Sequence, residues 1–157
     1  MDFKFTEENL AKIEAVRKKY PASKAAVMPV LYIAQEQNGY ITKEVMDEVA
    51  KLLGINSVDV LGVATFYTMY HTNPVGKYHV QVCTNVSCML RGGYEMLDHV
   101  VKKLGIDVNG LTSDGKFSIE EVECMGSCGT APMIAVNDDY YENLTKEKLT
   151  EILDSLK

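Results

Sequence analysis

Four cysteines are the residues with the clearest capacity for chemistry in this chain of 157 residues. They form two short pairs: four residues separate Cys83 from Cys88, and three separate Cys124 from Cys128. The two pairs are 35 residues apart. Each pair is close enough for one loop to direct two thiolates at one point, so that two loops together can build a cage of four sulfur atoms.

A cage of four thiolates suits a tetrahedral zinc ion or an iron–sulfur cluster. Zinc ribbons and fingers usually have two residues between the cysteines of at least one pair, and both gaps here are longer. A [2Fe-2S] cluster takes two thiolates on each iron, which two separated pairs supply naturally. Disulfides and plain buried cysteines are the remaining alternatives. The spacing therefore favours a [2Fe-2S] site and leaves zinc as the main competitor.

The residues around the second pair also favour the cluster. Gly126 and Gly129 remove side chains from this loop, so that backbone N–H groups can approach sulfur and stabilise an anionic cluster. A simple turn is the alternative explanation for both glycines. Neither cysteine pair has the two-residue gap of a thioredoxin-type dithiol, and the sequence contains no G-x-G-x-x-G motif or phosphate-binding loop.

Other titratable residues predict no second site. The three histidines are scattered, and we interpret them as surface or strand residues: His71, His79 and His99. A run of acidic side chains is interpreted as the solvated face of a strand: Glu120, Glu121 and Glu123. The sequence therefore places the chemistry of this chain at the cysteines.

Composition is that of an ordinary globular protein, with 46% hydrophobic and 24% charged residues. The apolar runs are shorter than a membrane span, and the N-terminus has no signal or transit pattern. We therefore expect a cytoplasmic protein without direct membrane insertion, in which paired cysteines are reduced. Residues 1–76 carry 8 basic and 9 acidic side chains, and residues 77–157 carry 8 and 13. Because no basic face is visible, no nucleic-acid partner is expected.

The first half of the chain predicts four short helices, since apolar residues recur there at helical spacing. Their expected starts lie near capping residues: Thr6, Ser23, Thr42 and Ser57. Pro29 lies inside the second helix and predicts a kink or a later first turn, because proline removes a backbone hydrogen bond. Four short helices joined by tight turns predict an antiparallel bundle, and residues 71–76 form a linker after it.

After the linker, the apolar residues alternate, which indicates strands. Strands are predicted at residues 78–82, 117–124, 133–136 and 140–141, the last two as a hairpin. Helices are predicted at residues 91–104 and after the capping residue Thr145. The order β-α-β-β-β-α is typical of a small α/β layer domain. We thus predict a mixed α+β or α/β chain with two domains, residues 1–76 and 77–157.

From about Ala25 to the C-terminus, a set of motifs resembles the NuoE family, the small [2Fe-2S] subunits of the NADH dehydrogenase module of respiratory complex I. Two of the motifs lie in the first half of the chain: Gly39-Tyr40-Ile41 and Gly62 to Tyr67. A third is Cys83-x4-Cys88 followed by Gly92. The most specific surrounds the second cysteine pair: Asp114 to Ser118, Cys124-Met-Gly126-Ser-Cys128 and Ala131-Pro132. The family usually has Leu or Phe at the position of Met125, an apolar change of similar size.

The resemblance implies an N-terminal helical bundle followed by a thioredoxin-like ferredoxin domain. It implies that Cys83, Cys88, Cys124 and Cys128 ligate one [2Fe-2S] cluster, which exchanges single electrons with FMN. FMN and NADH are expected on a partner flavoprotein of the NuoF type, and not on this chain. In complex I the subunit would be peripheral to the cytoplasmic side of the inner membrane, within an NADH:quinone oxidoreductase.

Other functions remain alternatives at this point. The same module occurs in NAD-linked hydrogenases and formate dehydrogenases, some of them bifurcating. A free ferredoxin shuttle and a zinc-stabilised interaction module are further alternatives. The aromatic segment Thr65 to Tyr70 is a hypothetical partner-binding surface, with sealing of the bundle as the simpler interpretation.

Overall fold

The computed structural model describes residues 3–156. The chain divides into two compact units between Pro74 and Val75, two residues before the boundary expected from the sequence. The described residues contain seven α-helices and one four-stranded sheet. No helix within residues 3–156 is long and apolar enough to cross a membrane.

The first unit is built from four helices, at the four places where the sequence predicts them: α1 (Glu7–Arg17), α2 (Val27–Asn38), α3 (Lys43–Leu53) and α4 (Ser57–Phe66). Side-chain oxygens of Thr6 and Thr42 accept hydrogen bonds from backbone N–H groups in the first turns of α1 and α3. A 3-10 turn, Ser23–Ala26, precedes α2. Pro29 therefore lies in the first turn of α2, where its missing N–H costs little, as the sequence predicted.

Tyr70 corrects part of the hypothesis for the aromatic segment Thr65 to Tyr70. It is only 4% exposed and belongs to the core of the first unit. Its hydroxyl donates to the Met28 carbonyl oxygen at 2.9 Å, and its ring packs against the edge of Tyr32. Tyr67 is partly buried against the same core, whereas Phe66 is 77% exposed. Tyr70 thus stabilises the bundle and is not available to a partner.

The second unit contains the remaining elements: β1 (Tyr78–Cys83), α5 (Val86–Leu90), α6 (Gly93–Leu104), β2 (Phe117–Val122), β3 (Ile134–Val136), β4 (Asp139–Tyr141) and α7 (Lys146–Ser155). The sheet order is β2-β1-β3-β4. Strands β1 and β2 are parallel, and the other two neighbouring pairs are antiparallel. Helices cover the face that presents Val80 and Val82, so this unit has its own hydrophobic core.

Helix α5 is the element that the sequence analysis missed. It has five residues, and Asn85 caps it by accepting a hydrogen bond from the Val86 N–H. The next helix was expected from residue 91 and begins at Gly93, because Gly92 adopts a positive φ of 95° and redirects the chain after α5. The first cysteine pair therefore includes a helical residue, Cys88.

The second face of the β1–β2 pair carries polar side chains at paired positions. His79 lies opposite Ser118 and Gln81 opposite Glu120 in the parallel register. His79 is a strand residue, as interpreted, but it is buried: Nδ1 lies 2.7 Å from the Ser118 hydroxyl and Nε2 lies 2.9 Å from Glu120. Hydrogen bonding thus satisfies polar groups along the strand pair that leads to Cys83.

Candidate metal centre

All four cysteines line one pocket in the second unit, with about 230 Å³ of space that protein atoms do not fill. The other residues around this pocket come from α5 and from the loop after β2: Asn85, Val86, Ser87, Gly126 and Ser127. The structure therefore brings together the two pairs that are 35 residues apart in the sequence.

The parallel pairing of β1 and β2 explains this convergence. Cys83 is the last residue of β1 and lies opposite Val122, the last residue of β2. Because parallel strands end at the same edge of a sheet, Cys124, two residues beyond β2, emerges beside Cys83. The turn of α5 then returns Cys88 to the same pocket. The supersecondary structure, more than the local sequence, sets the ligand geometry.

The pocket has a buried and an exposed side. Cys83 and Cys88 are buried, whereas Cys124 and Cys128 are exposed. Ala131 and Met133 pack around the buried pair, with Val122 and Met125 at the margin. A centre held in this pocket would thus be insulated from water on one side and accessible from the other.

Burial raises the pKa of the Cys88 thiol to about 11, and its hydrogen bond with Cys83 and the nearby charge of that residue act in the same direction. Thiolates crowded at this point need a cationic centre, because desolvation and mutual repulsion both favour the neutral thiols. A metal ion or cluster supplies that charge and deprotonates its thiol ligands. The donor set therefore fits a cationic metal centre.

Backbone groups also approach the sulfur atoms. The Gly126 N–H donates to the Cys124 sulfur at 3.4 Å, and Gly126 has a φ of 80°, a conformation that favours glycine. Hydrogen bonds of this kind stabilise an anionic cluster. On the buried side, the Cys83 thiol donates to the Glu123 carbonyl oxygen at 3.8 Å.

The state of the cysteines bears on the alternatives that the spacing left open. All four are free, so the structure contains no disulfide between them. Structural zinc takes four donors around one point, whereas a [2Fe-2S] cluster distributes four thiolates over two irons. The pocket supplies four cysteine side chains, a number of donors that satisfies either centre.

Two side chains adjacent in sequence to the cysteine segments, those of Arg91 and Thr84, were not identified from the sequence. The Arg91 guanidinium donates to the Ala131 carbonyl oxygen at 3.3 Å and so links the end of α5 to the loop that follows Cys128. The Thr84 hydroxyl donates to the Glu121 carboxylate at 2.7 Å. Glu120 accepts a hydrogen bond from Gln81 at 2.8 Å. Glu120 is partly buried and hydrogen-bonded, so the interpretation of the acidic run as a merely solvated face was wrong for Glu120, whereas Glu121 is exposed as expected.

Gly93 allows α6 to approach the cysteines closely. A Cβ atom at this position would lie 2.9 Å from the backbone carbonyl oxygens of Cys83 and Cys88. These are backbone atoms at the pocket, so they cannot move aside as a flexible side chain could. The start of α6 therefore needs a residue without a side chain.

Gly93→Ala is expected to lower the free energy of unfolding of the second unit by about 2 kcal/mol, because the added methyl group overpacks this contact. Urea titration followed by circular dichroism measures the change. Gly62→Ala is the matched control: a Cβ there meets no atom within 4 Å, and the position is inside α4. That control should gain about 0.5–1 kcal/mol. Equal stability of Gly93→Ala and the unmodified protein contradicts the overpacking argument.

The fold and the pocket together define a small α/β domain with four cysteines around one candidate metal site. Residues 13–157 match the family of thioredoxin-like [2Fe-2S] ferredoxins, which makes this an iron–sulfur protein of that class. A similar fold occurs in an NAD+-reducing [NiFe]-hydrogenase in the H2-reduced state, with a TM-score of 0.69 and 15% identity. That similarity covers 80% of this chain and 22% of the hydrogenase chain.

Sequence relatives identify the group more closely. The second E-type subunit of the NADH-quinone oxidoreductase of Rhizobium meliloti is 45% identical, over 92% of this chain and 86% of the relative. The E-type subunit of the NADH-quinone oxidoreductase of Rickettsia conorii is 42% identical, and the match covers 99% of this chain and 95% of the relative. Mitochondrial NADH dehydrogenase [ubiquinone] flavoprotein 2 of Dictyostelium discoideum is 45% identical, and the match covers 99% of this chain and 64% of the relative.

The chain belongs to the thioredoxin-like [2Fe-2S] ferredoxin family and, within it, to the NuoE group of NADH-quinone oxidoreductase subunits. Its cofactor is one [2Fe-2S] cluster, and it is an iron–sulfur subunit of an NADH dehydrogenase. The expected fold class and cofactor are thereby confirmed.

Proposed function

We propose that Cys83, Cys88, Cys124 and Cys128 ligate the [2Fe-2S] cluster and that the chain transfers single electrons between this cluster and FMN on a partner flavoprotein. The observation that carries the proposal is the lining of one pocket by all four cysteines of the chain. When bound, the cluster supplies a one-electron couple.

The residues of the pocket have two complementary roles in this proposal. Packing around Cys83 and Cys88 excludes water from one side of the site, and a lower local dielectric strengthens the hydrogen bonds to sulfur. Cys124 and Cys128 lie on the exposed side, where a redox partner can approach. This asymmetry supports electron exchange through the exposed side of the site.

A patch of exposed apolar side chains lies next to the pocket and supports a protein partner. It consists of Val86, Met89, Leu90 and Tyr94, which are 44–77% exposed. Val86 also lines the pocket, so the patch reaches the edge of the site. Helix α5 carries no charged residue, whereas residues 77–157 as a whole carry 8 basic and 13 acidic side chains. An uncharged apolar surface of this kind is typical of the centre of a protein interface.

The proposed partner is the flavoprotein subunit that binds FMN and NADH in an NADH:quinone oxidoreductase. The names of the relatives, which are subunits of NADH-quinone oxidoreductase and NADH dehydrogenase, support this host. In such a complex the chain would lie peripherally, on the cytoplasmic side of the inner membrane. An NAD-linked hydrogenase is the second candidate host, because the NAD+-reducing [NiFe]-hydrogenase contains a similar fold.

Isolation of the tagged chain from its native host tests the proposal. We expect a flavoprotein with bound FMN to co-purify, and NADH should then produce the EPR signal of a reduced [2Fe-2S] cluster in this chain. Isotopic labelling of this chain's cysteines assigns the signal to it. Co-purification of quinone-reducing activity supports complex I, and hydrogen-dependent reduction supports the hydrogenase. Isolation of a red-brown monomer without any flavoprotein would contradict the proposed partner.

A further inference from the structure

The loop that carries Cys124 and Cys128 has little regular structure to maintain its conformation. Both cysteines are exposed, and the regular structure within residues 123–131 is limited to the 3-10 turn Cys128–Thr130. The first cysteine pair, by contrast, lies on β1 and α5 and is buried. The second pair thus depends on individual polar contacts.

Those contacts converge on one carboxylate. The Thr130 hydroxyl donates to Glu142 Oε1 at 2.7 Å and also lies 3.2 Å from the Ser127 carbonyl oxygen, so that Thr130 joins Glu142 to the residue before Cys128. Glu142 follows β4 directly in the sequence. One side chain immediately after the last strand thereby contacts Thr130, two positions after Cys128.

The backbone next to Glu142 reinforces this connection. The Asn143 N–H donates to the Thr130 carbonyl oxygen at 2.7 Å, and the Leu144 N–H donates to the Pro132 carbonyl oxygen at 3.1 Å. Lys148 donates from Nζ to the Glu142 carbonyl oxygen at 2.6 Å and so connects this segment to α7. Hydrogen bonds to the backbone at residues 142–144 therefore fix the segment that carries the Glu142 carboxylate.

We propose that Glu142 is a positioning residue for the cluster site: its carboxylate holds the Cys124–Cys128 loop in the conformation that binds the cluster. This inference rests on the proposed ligation by the four cysteines. Glu142 itself does not line the pocket, and it acts through Thr130. Partners of this kind, which orient the ligands of a metal centre, typically change metal affinity 10–100-fold when they are removed.

The charge state of Glu142 agrees with this role. Hydrogen bonds from Ser127 and then Thr130 lower the pKa of Glu142 below its usual value. The side chain is therefore ionised at neutral pH, and an ionised carboxylate accepts the hydrogen of the Thr130 hydroxyl. Charge-assisted hydrogen bonds are stronger than neutral ones.

The test uses the cluster-loaded chain and measures the rate at which visible absorbance is lost in an excess of iron chelator at pH 7. We expect Glu142→Ala to lose its cluster about tenfold faster than the unmodified protein. Glu142→Gln retains a carbonyl acceptor for one hydroxyl, so its rate should fall between the two. Glu151→Ala, which removes the same charge from exposed α7, is the control and should leave the rate unchanged.

A second variant separates positioning from a general loss of stability. Thr130→Val removes the donor and should accelerate cluster loss in the same way, while the double variant with Glu142→Ala should be no faster than either alone. The EPR spectrum of the reduced Glu142→Ala protein should also change, whereas its thermal unfolding should match that of Glu151→Ala.

Unchanged cluster loss in Glu142→Ala, or fully additive effects in the double variant, overturns the assignment of Glu142. The underlying ligation is tested separately: a normal spectrum in Cys124→Ser contradicts the ligand set, whatever the result at Glu142. The two failures are therefore distinguishable.

Discussion

Cys124→Ser is expected to abolish the visible absorbance and the EPR signal of the [2Fe-2S] cluster. Serine oxygen is a harder ligand toward iron than a thiolate, and Cys124 is on the exposed side of the pocket, where water can replace a weakened ligand. The cluster content should fall at least about tenfold after purification in air. Iron and acid-labile sulfide assays, together with the spectra, measure this loss.

Met125→Leu is the matched control for this experiment, because it changes the neighbouring side chain and leaves all four cysteine sulfur atoms in place. Met125 is partly buried against the cysteines, and a volume-conserving apolar exchange of this kind costs less than about 1.5 kcal/mol. We expect it to bind cluster normally. If Cys124→Ser and Met125→Leu show the same cluster content, Cys124 is not a ligand.

Leu90→Asp is expected to weaken binding to the flavoprotein about 30-fold or more. Leu90 is 77% exposed, within the apolar patch beside the pocket. A charge at the centre of a protein interface must lose its hydration without gaining a partner, and loss of a central contact costs about 2 kcal/mol or more. Titration of the purified flavoprotein with labelled chain measures the dissociation constant directly.

Leu111→Asp provides the control for that prediction. Leu111 belongs to the same unit, is 39% exposed and lies outside the patch. Leu90 is largely solvated, so Leu90→Asp should change the free energy of unfolding by no more than about 0.5 kcal/mol. Leu111 is partly buried, so circular dichroism verifies that Leu111→Asp is folded before its binding is compared, and both variants should retain the cluster. Equal binding by the two variants contradicts the assignment of the patch as the flavoprotein-binding surface.

Apart from helix α5, the sequence alone predicted the order of the α-helices and strands in both units. Helical spacing between Thr6 and Phe66, and alternation from Tyr78 onward, are local signals, because each element exposes one face and buries the other. The delayed start of α2 also followed from one residue, Pro29. Helix α5 was missed, although Asn85 before Val86 is a capping signal, because five residues are too few to establish a helical period.

The structure also differs from the sequence-based expectation where a tertiary contact buries a residue that its type and neighbours suggest is exposed. Tyr70 was a plausible surface aromatic residue in the sequence, but its hydroxyl finds a carbonyl oxygen 42 residues earlier in the chain and its ring enters the core. His79 has the polarity of a surface residue, yet Ser118 and Glu120 on the neighbouring strand permit its burial. No spacing rule within one segment contains that information.

For the site, the cysteine pairs were evident in the sequence, because ligand type and short spacing are local properties. Their spacing left zinc and a [2Fe-2S] cluster as competitors, and flanking motifs favoured the cluster. Only the tertiary structure placed both pairs in one pocket, through the parallel register of β1 and β2, and made one pair buried and the other exposed. Only it connected Glu142 to the second cysteine loop, since a side-chain hydrogen bond between the segments on either side of the β3–β4 hairpin has no sequence period.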